Sequence, residues 1–480
     1  MGRIGLFFSV ILWCGTALSQ GRNSNWLFAE QNKIAFTWQG PQVSSSPWSH
    51  VFTVSPLSDP DGSLLLFTDW SGIFSAGGDT IFDTSQSADP TVPGQGWLLV
   101  PVPQSTSLIQ AFRIDRTFPT WTLWTGVVDL SLNDGAGAMP AGMQLLMDSA
   151  VSALTAVQHS NGQDYWILTH RSGDDAYLAY LLGPTGLDTI PVVSHTGPVR
   201  PEVFNGFFNP ANFGSLVATY DGTKLGCMAF PANPFSEGAV QLAVSSFNAS
   251  SGTVDCWMEF TDFPGWGANG LEFSPDGSKL FASSLDYSAP SYLTLHQYDV
   301  SVQDTGVVLA SHVVLDNEES SNLGGIQGNL KMALGPDGRI YMHRECDPDH
   351  LGVVQFPDSI GSAAGYQREG LAIPASACDG LPNLCKRYHD SEMSIGMDDQ
   401  GQATKGLRAW PVPADDELWI AFPERGTIAI VDLTGREFIS RRTDDMSSGS
   451  LDVSRLATGT YLLRFVSEHG RMMAKVFVKR

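Results

Sequence analysis

The sequence predicts an all-β protein: a β-propeller of four-stranded blades, with room for six or seven and seven favoured, followed by a small C-terminal β-sandwich. Three observations carry this reading. Charged residues make up 16% of the 480 and glycines number 49, against about 25% and about 7% in ordinary globular chains, a mix suited to short strands joined by tight turns. An Asp-Gly turn set between apolar stretches recurs along the body. The charge also changes near Arg408: from there to the end 11 basic residues face 10 acidic ones, which leaves 16 basic against 40 acidic upstream, an asymmetry expected of separate domains.

At the N-terminus, Arg3 precedes an apolar run from Ile4 to Trp13 and small residues ending in Ala17-Leu18-Ser19 before Gln20. This is the order of a cleavable signal peptide, assigned to residues 1–19. The run is well short of the ~20 apolar residues that cross a bilayer, and no later segment reaches that length, so stable membrane insertion is not expected. Five cysteines remain: Cys227, Cys256, Cys346, Cys378 and Cys385. An odd count in an oxidising compartment leaves two readings open. One is a disulfide or two, with Cys378 and Cys385 closing an easy loop and Cys227 and Cys256 needing neighbouring strands; the other is buried free thiols.

The body, residues 20–400, carries the repeat. Asp61-Gly62, Asp221-Gly222, Asp276-Gly277 and Asp337-Gly338 each precede an apolar stretch, and Asn161-Gly162 is a degenerate copy. Glycine accepts the positive φ of a tight hairpin and the Asp or Asn side chain bonds its own backbone. The glycines lie 100, 60, 55 and 61 residues apart, so the first gap reads as two units with one turn worn away. Second hairpins are expected at Gly186, Gly252 and Thr305-Gly306. Two hairpins per period make four strands, the unit of a propeller blade. An array of β-sandwiches would show Pro/Ser linkers between modules, and none is evident. Residues 401–407 read as a linker to the tail, 408–480, where Ile428 and Ile430, then Tyr461, Leu463 and Phe465, alternate with the period of half-buried strands.

Two resemblances follow from these residues. Asn25 to Phe28, Leu64 to Asp69, Leu154 to His170, Gly270 to Gly277 and Gly380 to Asn383 fall in an order similar to exported propeller-like (WD-repeat/YVTN-like) proteins of Gram-negative bacteria that use type IX secretion. The tail motifs are Trp410-Pro411-Val412-Pro413, Ile428 to Arg436, Leu451 to Leu456, Gly459 to Arg464 and Lys475 to Lys479. They resemble the type A sorting domain of type IX cargo, with Val412 where the family has Asn. That resemblance implies a β-sandwich, the type IX machinery as partner of residues 408–480, and a product secreted or attached to the outer cell surface. The competing reading of the tail is an eighth blade.

No GxSxG, HExxH or GxxxxGK[ST] motif occurs. Gly265 to Gly270 spells GxGxxG, but Leu271-Glu272-Phe273 followed by Pro275 cannot open the helix that a dinucleotide site needs. The Asp-box of sialidases keeps one residue between Asp and Gly, which are adjacent here. His343, Arg344, Glu345, Cys346, Asp347, Asp349 and His350 form the densest polar cluster, either a solvated strand end or a divalent-metal loop. His159, Asp164 and His170 flank one apolar strand, and a structural tie is expected there rather than catalysis. Trp97, Trp257 and Trp266 are expected to be exposed, with the other aromatics filling the wedges between blades.

No catalytic or cofactor-binding residue is assigned, no cofactor is expected, and metal binding stays open. A net charge of −23 repels phosphate backbones, so nucleic acid is not expected as a partner. The favoured reading is a non-enzymatic module that binds an extracellular glycan or protein. The alternative is a propeller-fold polysaccharide hydrolase or lyase, with carboxylates converging at the channel mouth.

Overall fold

The computed structural model describes residues 21–37, 40–50, 54–84, 95–117, 120–200, 214–229, 240–263, 270–286, 291–320, 331–344, 349–375, 380–388, 408–410, 414, 416–421, 425–432, 436–443, 448–467 and 472–479. Residues 1–19, read above as a signal peptide, and residues 401–407, read as a linker, lie outside them. The chain divides into two compact units, Met1–His389 and Asp390–Arg480.

The first unit is a ring of seven antiparallel blades. Blade 1 holds Asn25–Phe28, Glu30–Thr37 and Gly40–His50, and blade 2 holds Leu57–Ser58, Leu64–Asp69, Gly72–Ser75 and Thr80–Asp83. Blade 3 has Trp97–Pro101, Leu108–Thr117 and Thr120–Asp129. Its fourth strand is the first half of the 15-residue strand Gln144–Gln158, whose second half is the innermost strand of blade 4. Blade 4 continues with Tyr165–Arg171 and Ala176–Gly183, edged by Gly186–Leu187 and Val192–His195. Blade 5 is Gly214–Ala218, Lys224–Ala229, Val240–Asn248 and Thr253–Phe263; blade 6 is Leu271–Phe273, Lys279–Asp286, Ser291–Asp299 and Val313–Ser320. Blade 7 is Met332–Leu334, Ile340–Met342, His350–Val354 and Tyr366–Ala372. Among the described residues blade 1 thus has three strands where the others have four, blade 4 sharing its outer edge between two short ones.

The Asp-Gly turns join the first and second strands of their blades, with Gly62, Gly222, Gly277 and Gly338 at φ +90°, +70°, +67° and +78°. The worn turn lies in blade 3, where Gln104 takes φ +60° in place of a glycine and the Ser105 hydroxyl accepts from the Leu108 amide. Gly186 and Gly252 form the expected second hairpins. The expected hairpin at Thr305-Gly306 is instead a short helix, Thr305–Ala310, because the Asp304 carboxylate accepts from the Val307 amide and caps it.

Apolar clusters lie between successive blades. Leu27, Val54 and Phe67 join blades 1 and 2; Leu66, Trp97 and Ile109 join 2 and 3; Phe112, Leu154 and Tyr165 join 3 and 4. Trp166, Leu216 and Cys227 join 4 and 5, and Met258, Leu280 and Met342 join 5, 6 and 7. Trp26, Phe36 and Tyr341 close the ring, packed edge-on at 4.9–5.7 Å. Packing on both faces explains why Tyr165–Arg171 shows no polar alternation in burial.

The second unit is a β-sandwich. Arg408–Trp410, Glu417–Ala421 and Ser448–Asp452 form one sheet. Gly426–Asp432, Glu437–Thr443, Gly459–Ser467 and Met472–Lys479 form the other. The alternating residues Ile428, Ile430, Tyr461, Leu463 and Phe465 all point into its core with Leu418, Leu451 and Phe477.

Candidate functional site

A ring of blades turns the inner edge of each first strand toward the axis, where backbone N–H and C=O groups have no further strand to pair with and need partners. Side chains supply them. The Gln95 amide spans blades 4 and 5: its Oε1 accepts from the Leu154 and Leu216 amides (3.1 and 2.9 Å) and its Nε2 donates to the Leu216 carbonyl (2.8 Å). In blade 6 the Glu272 carboxylate, 1% exposed, accepts from the Phe273 and Leu334 amides (both 2.9 Å).

The rest of the axis is filled by Gly380 to Tyr388, a segment without regular secondary structure. The Asn383 amide nitrogen donates to Val54 O (2.9 Å), and its Nδ2 donates to Trp97 O and Leu154 O (2.9 and 3.1 Å). The Lys386 ammonium pairs with Glu272. Asn23 Nδ2 donates to Cys385 O (2.9 Å). Beside this segment a cavity of about 60 Å³, lined by Asn23, Gln95, Thr155, Ser215 and Glu272 among others, has room for a few waters and is far below the several hundred Å³ of a ligand pocket.

The sequence-selected residues do not meet at this axis. His159 and Asp164 share a turn through Asn161, whose amide donates to His159 Nδ1 (3.0 Å) and whose side chain donates to Asp164 (2.7 Å). His170 sits apart and buried, its Nδ1–H donating to Arg171 O (2.8 Å) and its ring against Tyr177. The polar cluster disperses: His343 is buried, Arg344 ties Glu318 of blade 6 to the Arg368 carbonyl, and Asp349 pairs with His350 (2.8 Å). Glu345, Cys346 and Asp347 lie outside the described residues. Among the described residues no three His, Cys, Asp or Glu side chains gather as metal ligands.

Trp97 is 1% exposed, not a surface residue as expected, because a strand next to the axis packs on both faces, and Arg113 stacks on its ring. Trp257 is partly buried, and Trp266, with the GxGxxG stretch before Gly270, lies outside the described residues. Leu271–Phe273 is a strand, as its pattern required.

The described cysteines are free thiols. Cys227 and Cys256 stand on strands separated by Val240–Asn248, too far apart for a bridge. Burial pushes the Cys385 thiol up to about 12, so it stays protonated and inert. Sequence reasoning missed a chain in blade 6, where Ser284 Oγ meets His296 Nε2 (2.8 Å) and His296 Nδ1 meets His312 Nε2 (2.9 Å). Burial, then the neighbouring His312, holds His296 down to about 3, well below the range of a working general base. These histidines lie 16 residues apart, so nothing in the sequence marks them as partners.

The fold therefore defines a β-propeller body with a filled axis and a separate β-sandwich tail. Residues 408–479 match the family model described as a secretion system C-terminal sorting domain. Among solved structures, the chain is similar to the periplasmic gluconolactonase of Pseudomonas aeruginosa, with 14% identity over 75% of this chain and 97% of that one and a TM-score of 0.43. It is also similar to a Bacteroides fragilis protein assigned as a 6-phosphogluconolactonase, with 11% identity over 75% of this chain and 98% of that one and a TM-score of 0.42. No curated protein matches the chain. Among the described residues, no helix is long and apolar enough to cross a membrane.

Proposed function

We propose that this is cargo of type IX secretion in a Gram-negative bacterium: a signal peptide, residues 1–19, for the first membrane, a propeller over 20–400, a linker at 401–407, and residues 408–480 as the address read by the export machinery. The match of residues 408–479 to the sorting-domain model, on a tail with its own core, carries this reading. The protein is then secreted or held on the outer cell surface. Deleting residues after Lys405 is expected to leave the body in the periplasm of a type IX-competent host, and its appearance in the medium would refute the assignment.

The body is proposed to bind a neutral or cationic extracellular glycan or protein at a propeller face without transforming it. Support comes from the axis, where the Glu272 carboxylate is already engaged by Lys386 and two amides. The acidic body, near −24, is poor in the guanidinium and ammonium groups that clamp anionic polymers. Glycan and peptide arrays probed with the mature protein at two salt concentrations test this. Salt-sensitive binding to sulfated or phosphorylated polymers would overturn the electrostatic argument, and turnover of a bound glycan would establish the hydrolase or lyase reading instead.

A further inference from the structure

Among the described residues the two ends of the ring share no strand: blade 1 is built from residues 25–50 and blade 7 from residues 332–372. Besides the direct packing of Trp26 and Phe36 on Tyr341, the axial segment spans them, and in nine residues it reaches all seven blades. Leu381 and Leu384 pack with Trp26 and Phe28 of blade 1 and with Tyr341 of blade 7. Gly380 lies so close to Lys331, at the start of blade 7, that an added Cβ would stand 2.9 Å from its side chain. Asn383 holds Val54, just before the first strand of blade 2, and Trp97 and Leu154 on the first strands of blades 3 and 4. Arg387 lies over the Tyr220 ring of blade 5 (5.9 Å), and Lys386 pairs with Glu272 of blade 6. Tyr388 packs against Tyr165 of blade 4.

We propose that Gly380–Tyr388 is an axial keystone that locks the ring, so that the propeller is completed only when the last stretch of its own chain enters the channel. The physical reason lies at the inner edges: removing the Asn383 side chain takes the donor from two carbonyls on different blades at once, Trp97 O and Leu154 O, while its backbone N–H still serves Val54 O, and without Lys386 a buried carboxylate loses its cation. In chain order the segment follows all seven blades and ends 20 residues before Arg408, so a chain emerging N-terminus first locks its body just before the sorting tail appears.

The test is hydrogen exchange on the full mature chain. Asn383→Ala is expected to speed exchange at least tenfold at both Asn25–Phe28 and Met332–Leu334, the two ends of the ring, although Asn383 bonds to neither strand. Leu216→Ala, which opens the core between blades 4 and 5 alone, is expected to speed exchange in those blades only. If Asn383→Ala does not fold, Lys386→Met, which keeps most of the side chain's bulk, serves in its place and should give the same two-ended pattern. Faster exchange confined to the strands around Val54, Trp97 and Leu154, or the same two-ended pattern from Leu216→Ala, would overturn the proposal.

Discussion

The propeller body and the tail sandwich are both antiparallel β structures, yet they dispose of their sheet edges in opposite ways. In the tail, two sheets meet face to face over an apolar cluster that runs from Leu418 and Ile430 to Phe465 and Phe477, with the buried Thr443 hydroxyl bonded to Gly426 beside it. The edge strand Glu437–Thr443 is mostly exposed, so water satisfies its backbone. In the body, seven blades meet edge-on at an axis, and Gln95, Glu272, Asn383 and Lys386 are placed where water would otherwise have to be. The difference teaches that the two faces of a sandwich meet through an apolar pattern, whereas the centre of a closed ring is held by specific polar groups.

The largest way to break that comparison is at the axis. Glu272→Gln leaves the Lys386 ammonium without its carboxylate in a buried site, and a loss of about 3 kcal/mol of body stability is expected, read as a lower midpoint of the body's transition in urea with the tail's unchanged. A similar loss, about 3 kcal/mol, is expected from Phe465→Ala in the tail, with the reverse signature in calorimetry: the tail's transition falls and the body's stays.

Acid should separate the units next. Burial, helped by Arg200, holds His170 down to about 3, as burial and His312 hold His296. Both remain neutral in the folded body, whereas in the unfolded chain they take up protons below about 6.5. Stability is therefore full above about pH 6.5 and falls from there toward about pH 3, by about 1.4 kcal/mol per pH unit for each histidine. The described residues of the tail include no histidine. Unfolding midpoints measured from pH 7 to 5 should show the body losing stability while the tail changes less, and His296→Phe should reduce the body's slope.

The smallest effect concerns the worn turn. Gln104 sits at φ +60°, where glycine has no steric penalty, so Gln104→Gly is expected to gain about 0.5 kcal/mol, seen as a rise of a degree or so in the midpoint of the body's thermal unfolding.

The Asp-Gly turns were legible because φ > 0 is a local demand that glycine meets by itself, and the alternation of Tyr461, Leu463 and Phe465 was legible because a two-sheet core imposes period two on each strand. The Thr305-Gly306 hairpin was misread because one carboxylate, Asp304, chose a helix over a turn that the same residues could also make. The shared strand Gln144–Gln158 was hidden in an apolar run that pairs with both neighbours.

What the sequence by itself determined is the all-β class, a repeat with room for six or seven four-stranded units and the acidic body, since each rests on composition or on residues near one another in the chain, while the tail was legible through motifs that resemble a sorting domain. The tertiary structure alone decided the burial of Trp97, the separation of His159 from His170, the free thiols and the occupied axis. These depend on which strands the ring brings together: Asn383 meets residues 54, 97 and 154, contacts across hundreds of residues that leave no periodic trace and exist only once seven edges face one line.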